Sequence, residues 1–82
     1  MIEILYFSWI RERIGKSKET LETNAETIED LINELCKMER RYALAFSDLS
    51  ALRVALDQTL VEIDTPLGNA KEVAFFPPMT GG

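Results

Sequence analysis

Thr27-Ile28-Glu29-Asp30-Leu31-Ile32-Asn33-Glu34-Leu35-Cys36-Lys37-Met38-Glu39-Arg40-Arg41 is the stretch whose reading decides the fold. Ile28, Leu31, Ile32, Leu35 and Met38 recur at the spacing of one helical face. Thr27 is a capping residue, and Asp30 three positions on supplies the carboxylate of a capping box. Lys37, Arg40 and Arg41 follow at the C-terminal end, where cations complement the helix dipole. The pattern predicts one long amphipathic helix over residues 27–41, the clearest element of the chain.

On either side of that helix the period changes from helical to alternating. Met1 to Trp9 sets Ile2, Ile4 and Tyr6 against Glu3, Leu5 and Phe7, which predicts a strand. Ile10 to Ile14 can make one helical turn ended by Gly15. Lys18 to Glu22 is a weaker strand, and the connection through Gly15-Lys16-Ser17 predicts antiparallel pairing with the first. Beyond the helix, Tyr42 to Ser50 reads as irregular with some further helix. Leu52 to Leu56 reads as a strand, Asp57-Gln58-Thr59 as a turn and Leu60 to Ile63 as a short strand. Thr65-Pro66-Leu67-Gly68-Asn69 is a loop by composition. Glu72 to Phe76 is the last strand, stopped by Pro77-Pro78, neither of which can donate to a ladder. The order strand, strand, helix, strand, strand, strand predicts an α+β fold, a mixed sheet covered on one face by one main helix.

Composition narrows what such a chain does. Its 82 residues are enough for one domain, and a hydrophobic fraction of 46% is that of a globular protein. No apolar run approaches the ~20 residues that span a bilayer, and no signal peptide is visible at Met1-Ile2-Glu3. The single cysteine, Cys36, cannot close an internal disulfide, which fits a reducing cytoplasm. A net charge of −5 argues against nucleic acid and suits a partner with a basic surface. The chain has no histidine, so it can build no Ser-His or Cys-His pair and no histidine metal site. It has no glycine-rich phosphate loop either. An enzyme acting alone would have little to work with, and no bound cofactor is expected.

Two of the four glycines are Gly81 and Gly82. The last strand runs into Pro77-Pro78, then Met79-Thr80, then the glycine pair. The prolines hold the exit extended, and glycines without Cβ let a narrow channel close around the backbone. Together they aim a carboxylate away from the body on a thin arm. Such a carboxylate is unreactive until a partner activates it, for instance by adenylation. Gly82 would then carry the reactive carbon while Gly81 keeps the approach narrow.

Met1-Ile2-Glu3-Ile4-Leu5-Tyr6-Phe7, the Arg11-Glu12 pair, Gln58-Thr59-Leu60-Val61 and above all Glu72-Val73-Ala74-Phe75-Phe76-Pro77-Pro78-Met79-Thr80-Gly81-Gly82 carry a family resemblance. The chain resembles, over its whole length, the small sulfur-carrying subunits of molybdopterin synthase. The resemblance implies a ubiquitin-like β-grasp domain over residues 1–78 and a flexible Gly-Gly tail over residues 79–82. It implies that an E1-like activating enzyme uses ATP to adenylate Gly82, which is then converted to a thiocarboxylate. The large synthase subunit would accept Met79, Thr80, Gly81 and Gly82, and sulfur would pass to cyclic pyranopterin monophosphate. The small subunit would thus be a non-catalytic donor, active only with the large one. Two departures stand out: Ala70-Lys71-Glu72 replaces the family's Gly-Asp-Glu run, and Asp57 stands where Asn is common. Three other readings of the same end are a thiamine-thiazole sulfur carrier, a ubiquitin-like protein modifier and an interaction module with an inert terminus. The thiazole carriers tend to be shorter and to lack the Phe-Phe-Pro-Pro tail.

Alternation also locates a candidate docking face. Phe7 shares a face with Glu3, Leu60 with Glu62, and Phe76 with Glu72, so three large apolar side chains are expected on a polar, solvent-facing side of the sheet. With Pro77, Pro78, Met79 and Thr80 they form the expected partner surface, and the resemblance implies the same face. Tyr6 and Trp9 read as packing residues, and Arg11-Glu12-Arg13 as a solvated face. Cys36 reads as a small core or boundary residue, with nothing near it in sequence to lower its pKa.

Overall fold

The structure is a computed structural model and describes residues 1–78. The predicted tail over residues 79–82 lies outside the described residues. The strands are β1 (Ile2–Tyr6), β2 (Lys18–Leu21), β3 (Arg53–Leu56), β4 (Thr59–Val61) and β5 (Glu72–Phe76). The helices are α1 (Ser8–Ile14), α2 (Ile28–Met38) and α3 (Arg40–Ala45), with a 3-10 turn at Leu49–Ala51. The sheet runs β2-β1-β5-β3-β4. It is mixed, as expected: β1 pairs antiparallel with β2 and parallel with β5, while β3 pairs antiparallel with both β5 and β4. The last strand of the chain is therefore the central strand of the sheet.

One face of that sheet makes the core. Ile2, Ile4 and Tyr6 of β1, Val54 of β3, and Val73 and Phe75 of β5 are buried against Ile28, Leu31, Ile32 and Leu35 of α2. Phe75 sits at its centre, edge-on to Phe46 at 4.9 Å and stacked on Tyr6 at 6.2 Å. The expected period-2 and helical patterns are thus both realised, and they face each other.

α2 begins where the sequence predicts. Thr27 Oγ1 accepts from Asp30 N at 3.1 Å, and Asp30 Oδ2 accepts from Thr27 N at 3.3 Å. The two preceding helical N–H groups are satisfied by the loop after β4. Ile28 N donates to Thr65 O (3.1 Å) and Glu29 N to Ile63 O (2.8 Å). A helix start otherwise leaves these donors orphaned, so the long loop is tied to the helix by need on both sides.

The helix ends earlier than expected. Glu39 is extended (φ −151°, ψ 151°) and separates α2 from α3. Met38, assigned by spacing to the apolar face, is 46% exposed, because the stripe ends with Leu35. Arg40 and Arg41 open α3 rather than closing α2. Arg41 Nη1 donates to Ile14 O at 2.7 Å, capping the C-terminus of α1 from across the fold. The further helix expected within Tyr42 to Ser50 is α3, which starts two residues earlier and fully buries Tyr42.

The first strand is also shorter than its alternation suggests. It stops at Tyr6 because Ser8 takes a left-handed φ of 57° and turns the chain into α1. Gly15 (φ 89°) closes α1 as predicted, its N–H bonded to Arg11 O at 2.8 Å. β4 is Thr59–Val61 rather than Leu60–Ile63, because Asp57 and Gln58 alone make the turn. Both have positive φ (48° and 72°), the pattern of a two-residue hairpin turn.

Candidate functional site

The face of the sheet opposite the helices carries the candidate site, and its layout follows from strand register. Val73 and Phe75 point into the core, so Glu72, Ala74 and Phe76 point the other way. Register then builds rows across this open face. Glu3 lies beside Glu72. Leu5 lies beside Ala74, Ala74 beside Ala55, and Ala55 beside Leu60. Phe76 lies beside Arg53. Phe7 N donates to Phe75 O at 3.1 Å, which carries the β1–β5 pairing one residue past the strand.

Leu5, Phe7, Gln58, Glu72, Ala74, Phe76 and Pro77 line a shallow, mainly apolar groove on this face. The structure therefore brings together Phe7 and Phe76, two of the three residues that alternation places on this face, and adds Pro77. Phe7 is 45% exposed and Phe76 half-buried. Leu60, 65% exposed, is on the same face but separated from β5 by the small Ala55 of β3. Pro78 is half-buried and does not line the groove. Met79, Thr80, Gly81 and Gly82 lie outside the described residues.

The expected polar face is less polar than its charged neighbours suggest. Leu5 and Ala74 fill the space between the aromatics, and Ala74 is only 7% exposed because larger side chains flank it. These two residues and Arg53 were missed as site residues. Alternation alone places Leu5 with Phe7 and Ala74 with Phe76; Arg53 becomes visible only when β3 is known to pair with β5.

The root of the tail is held firmly. β5 has a neighbour on each side, and its first residue is clamped by Asp57. Asp57 Oδ1 accepts from Lys71 N (2.9 Å) and Glu72 N (3.0 Å), and Asp57 N donates to Glu72 O (2.9 Å). Both departures from the family pattern, Asp57 and the Ala70-Lys71-Glu72 run, meet in this clamp.

The remaining chemistry-bearing residues are structural. Cys36 is half-buried, donates to Tyr42 O at 3.9 Å, and has its thiol pKa pushed up by burial, the reverse of what a sulfur relay needs. Trp9 packs on the core edge with Arg13 5.2 Å above its ring, while Arg11, Glu12 and Arg13 are exposed. Among the described residues there is no His/Cys/Asp/Glu cluster that could hold a metal ion. No helix among them is long and apolar enough to cross a membrane.

The arrangement is a fixed platform with an apolar face, leading into a Gly-Gly end. Comparison with known proteins places it. The ThiS family matches residues 4–82.

The chain belongs to the ThiS family.

Relatives within reach of this ThiS-family chain share one description. The molybdopterin synthase sulfur carrier subunit of Escherichia coli (strain K12) is 42% identical over 82 residues, covering 100% of both chains. That of Haemophilus influenzae is 38% identical over 82 residues, again covering 100% of both. Among solved structures, SAMP1 from Haloferax volcanii superposes with a TM-score of 0.73 at 18% identity, over 99% of this chain and 98% of that one. A putative molybdopterin converting factor, subunit 1, from Pyrococcus furiosus gives a TM-score of 0.73 at 25% identity, over 94% and 95%. The fold is thus the α+β mixed sheet that the element order predicts and the ubiquitin-like β-grasp that the resemblance implies.

Proposed function

We propose that this chain is a sulfur carrier and serves as the small subunit of a molybdopterin synthase in the cytoplasm. Gly82 is its working atom group. The observation that carries the reading is the end-to-end match to relatives described as molybdopterin synthase sulfur carrier subunits. The geometry supports it: the strand that leads to Gly81-Gly82 is the central, doubly paired strand, so a partner gripping the tail meets a fixed root.

Chemically, the carboxylate of Gly82 is a poor electrophile. An E1-like activating enzyme uses ATP to convert it to an acyl-adenylate, releasing pyrophosphate. A sulfur nucleophile then displaces AMP, leaving a thiocarboxylate. The large synthase subunit receives the tail, and the sulfur passes to cyclic pyranopterin monophosphate. This chain supplies no acid, base or metal to that sequence; it supplies the carbonyl, its unhindered approach and the docking surface. Phe7, Leu60, Phe76 and Pro77 form the partner-binding face, with Pro78, Met79 and Thr80 leading into the partner's channel.

The test is the intact mass of the protein after incubation with its activating enzyme, ATP and a sulfur donor. Replacement of one terminal oxygen by sulfur is expected. Conjugates to lysines of other proteins without any thiocarboxylate would make the chain a protein modifier instead. An unchanged mass beside active partner enzymes would make its terminus inert.

A further inference from the structure

The hairpin between β3 and β4 turns on two residues, Asp57 and Gln58, with φ of 48° and 72°. A two-residue turn with positive φ at both positions favours Asn or Asp followed by glycine, because a side chain at positive φ crowds the backbone. This chain follows the preference at the first position and departs from it at the second. Asp57 tolerates the conformation, and its carboxylate ties down the start of β5 through Lys71 N and Glu72 N. Neither reason applies to Gln58. It is exposed, and among the described residues the side-chain hydrogen bonds of this turn all belong to Asp57. A glycine at residue 58 would suit the fold better.

What Gln58 does have is its position. It lines the apolar groove among Leu5, Phe7, Ala74 and Phe76, at the end away from the tail, where the turn meets Glu72. Leu60, two residues on, belongs to the same hairpin and the same open face. An apolar groove relies on a few placed polar groups to fix what lies in it and in which orientation. A residue held in a sparsely populated conformation beside such a groove points to a use outside the fold.

We infer that Gln58 is a specificity-determining residue of the docking face, its side-chain amide pairing with a main-chain peptide group of the large synthase subunit. The inference rests on the proposed function, in which that subunit occupies the groove. A primary amide carries an acceptor and donors side by side, which complements the N–H and C=O of a peptide group. It also brings no charge to be desolvated. Glu72, the other polar residue of the lining, offers acceptors alone when ionised. The apolar groove supplies the affinity, and Gln58 fixes the register in which the partner's chain lies.

The test replaces Gln58 by Gly, Asn and Glu in the full-length protein. It reads the melting temperature of the free chain, affinity for the purified large subunit by calorimetry, and synthase kinetics with the thiocarboxylated chain as varied substrate. Gln58→Gly should melt about 2–6 °C higher, because the turn is relieved. It should bind about three- to tenfold more weakly, because the amide is gone. KM for this chain should rise by the same factor with kcat unchanged, the mark of a contact made equally in ground and transition states. Gln58→Asn suits the turn but is a methylene short, and Gln58→Glu has the length but no donors, so both should lose affinity. A glycine variant that binds as tightly as wild type would overturn the inference, and so would one that melts at or below wild type. Full affinity in Gln58→Glu would overturn the pairing with a peptide group, and weakening toward the activating enzyme alone would overturn the choice of partner. A wild type that gains sulfur and binds through Phe76, shown by loss in Phe76→Ala, while ignoring every Gln58 substitution fails this inference alone. A wild type that neither gains sulfur nor binds the large subunit fails the carrier reading, and this inference with it.

Discussion

At Glu19, donors from three parts of the chain converge on one carboxylate. Its Oε2 accepts from Tyr6 OH of β1 at 2.7 Å and from Tyr42 OH of α3 at 2.6 Å, and its Oε1 accepts from Lys16 Nζ at 3.2 Å. Burial alone would raise its pKa, but the hydrogen bonds from Tyr42, Tyr6 and Lys16 outweigh it, so the carboxyl is held below its ordinary 4.5. Burial first, then the same carboxylate, pushes both phenols up. A carboxylate whose folded pKa is depressed stabilises the fold fully above its unfolded value, and that stability is lost as pH falls through the folded value. Glu19→Ala should therefore cost about 2–4 kcal/mol at pH 7, since two phenols lose a charged acceptor. Urea unfolding of Glu19→Gln should show a smaller loss, and its gap from wild type should narrow below about pH 4. A gap independent of pH would show that the contact is packing rather than charge.

At the scale of elements, β5 decides whether the platform is rigid. Its clamp rests on a side chain of Asp57, which also occupies a left-handed backbone position that Asp and Asn tolerate well. Asp57→Ala should lose about 1–2 kcal/mol in denaturant melts, whereas Asp57→Asn keeps an acceptor and the turn and should stay within about 0.5 kcal/mol. Equal losses in the two would mean that the clamp contributes through charge alone. Substitutions on the open face separate folding from binding. Leu60→Ala should change stability by less than about 0.5 kcal/mol, because Leu60 is 65% exposed. Phe76→Ala should weaken binding of the large subunit by about 2 kcal/mol or more, read by calorimetry. Unchanged affinity would remove Phe76 from the docking surface.

Seen whole, the molecule was legible where a single period governs a segment. The face of α2, the alternation of β1 and β5 and the Thr27 cap follow from spacing because one side of each element is buried and the other is not. What escaped depends on contacts between distant segments. The break at Glu39 has no glycine or proline to announce it; it exists because Tyr42 must reach Glu19 and Arg41 must reach Ile14 O. The end of β1 is set by Ser8 in a conformation that a serine does not advertise. The pairing of Arg53 with Phe76 and of Glu3 with Glu72 depends on strand order, which local pattern does not contain. The proposed chemistry at Gly82 rests on the order of prolines and glycines and on the family resemblance; Gly82 itself lies outside the described residues.

The central claim is that sulfur leaves this protein from Gly82. A single-turnover reaction tests it most directly: thiocarboxylated protein is mixed with the large subunit and cyclic pyranopterin monophosphate, and protein mass and molybdopterin are followed together. The thiocarboxylate should revert to carboxylate in step with product, and protein lacking Gly82 should yield none. Product formed while the thiocarboxylate persists, or formed equally by the truncated protein, would contradict the account.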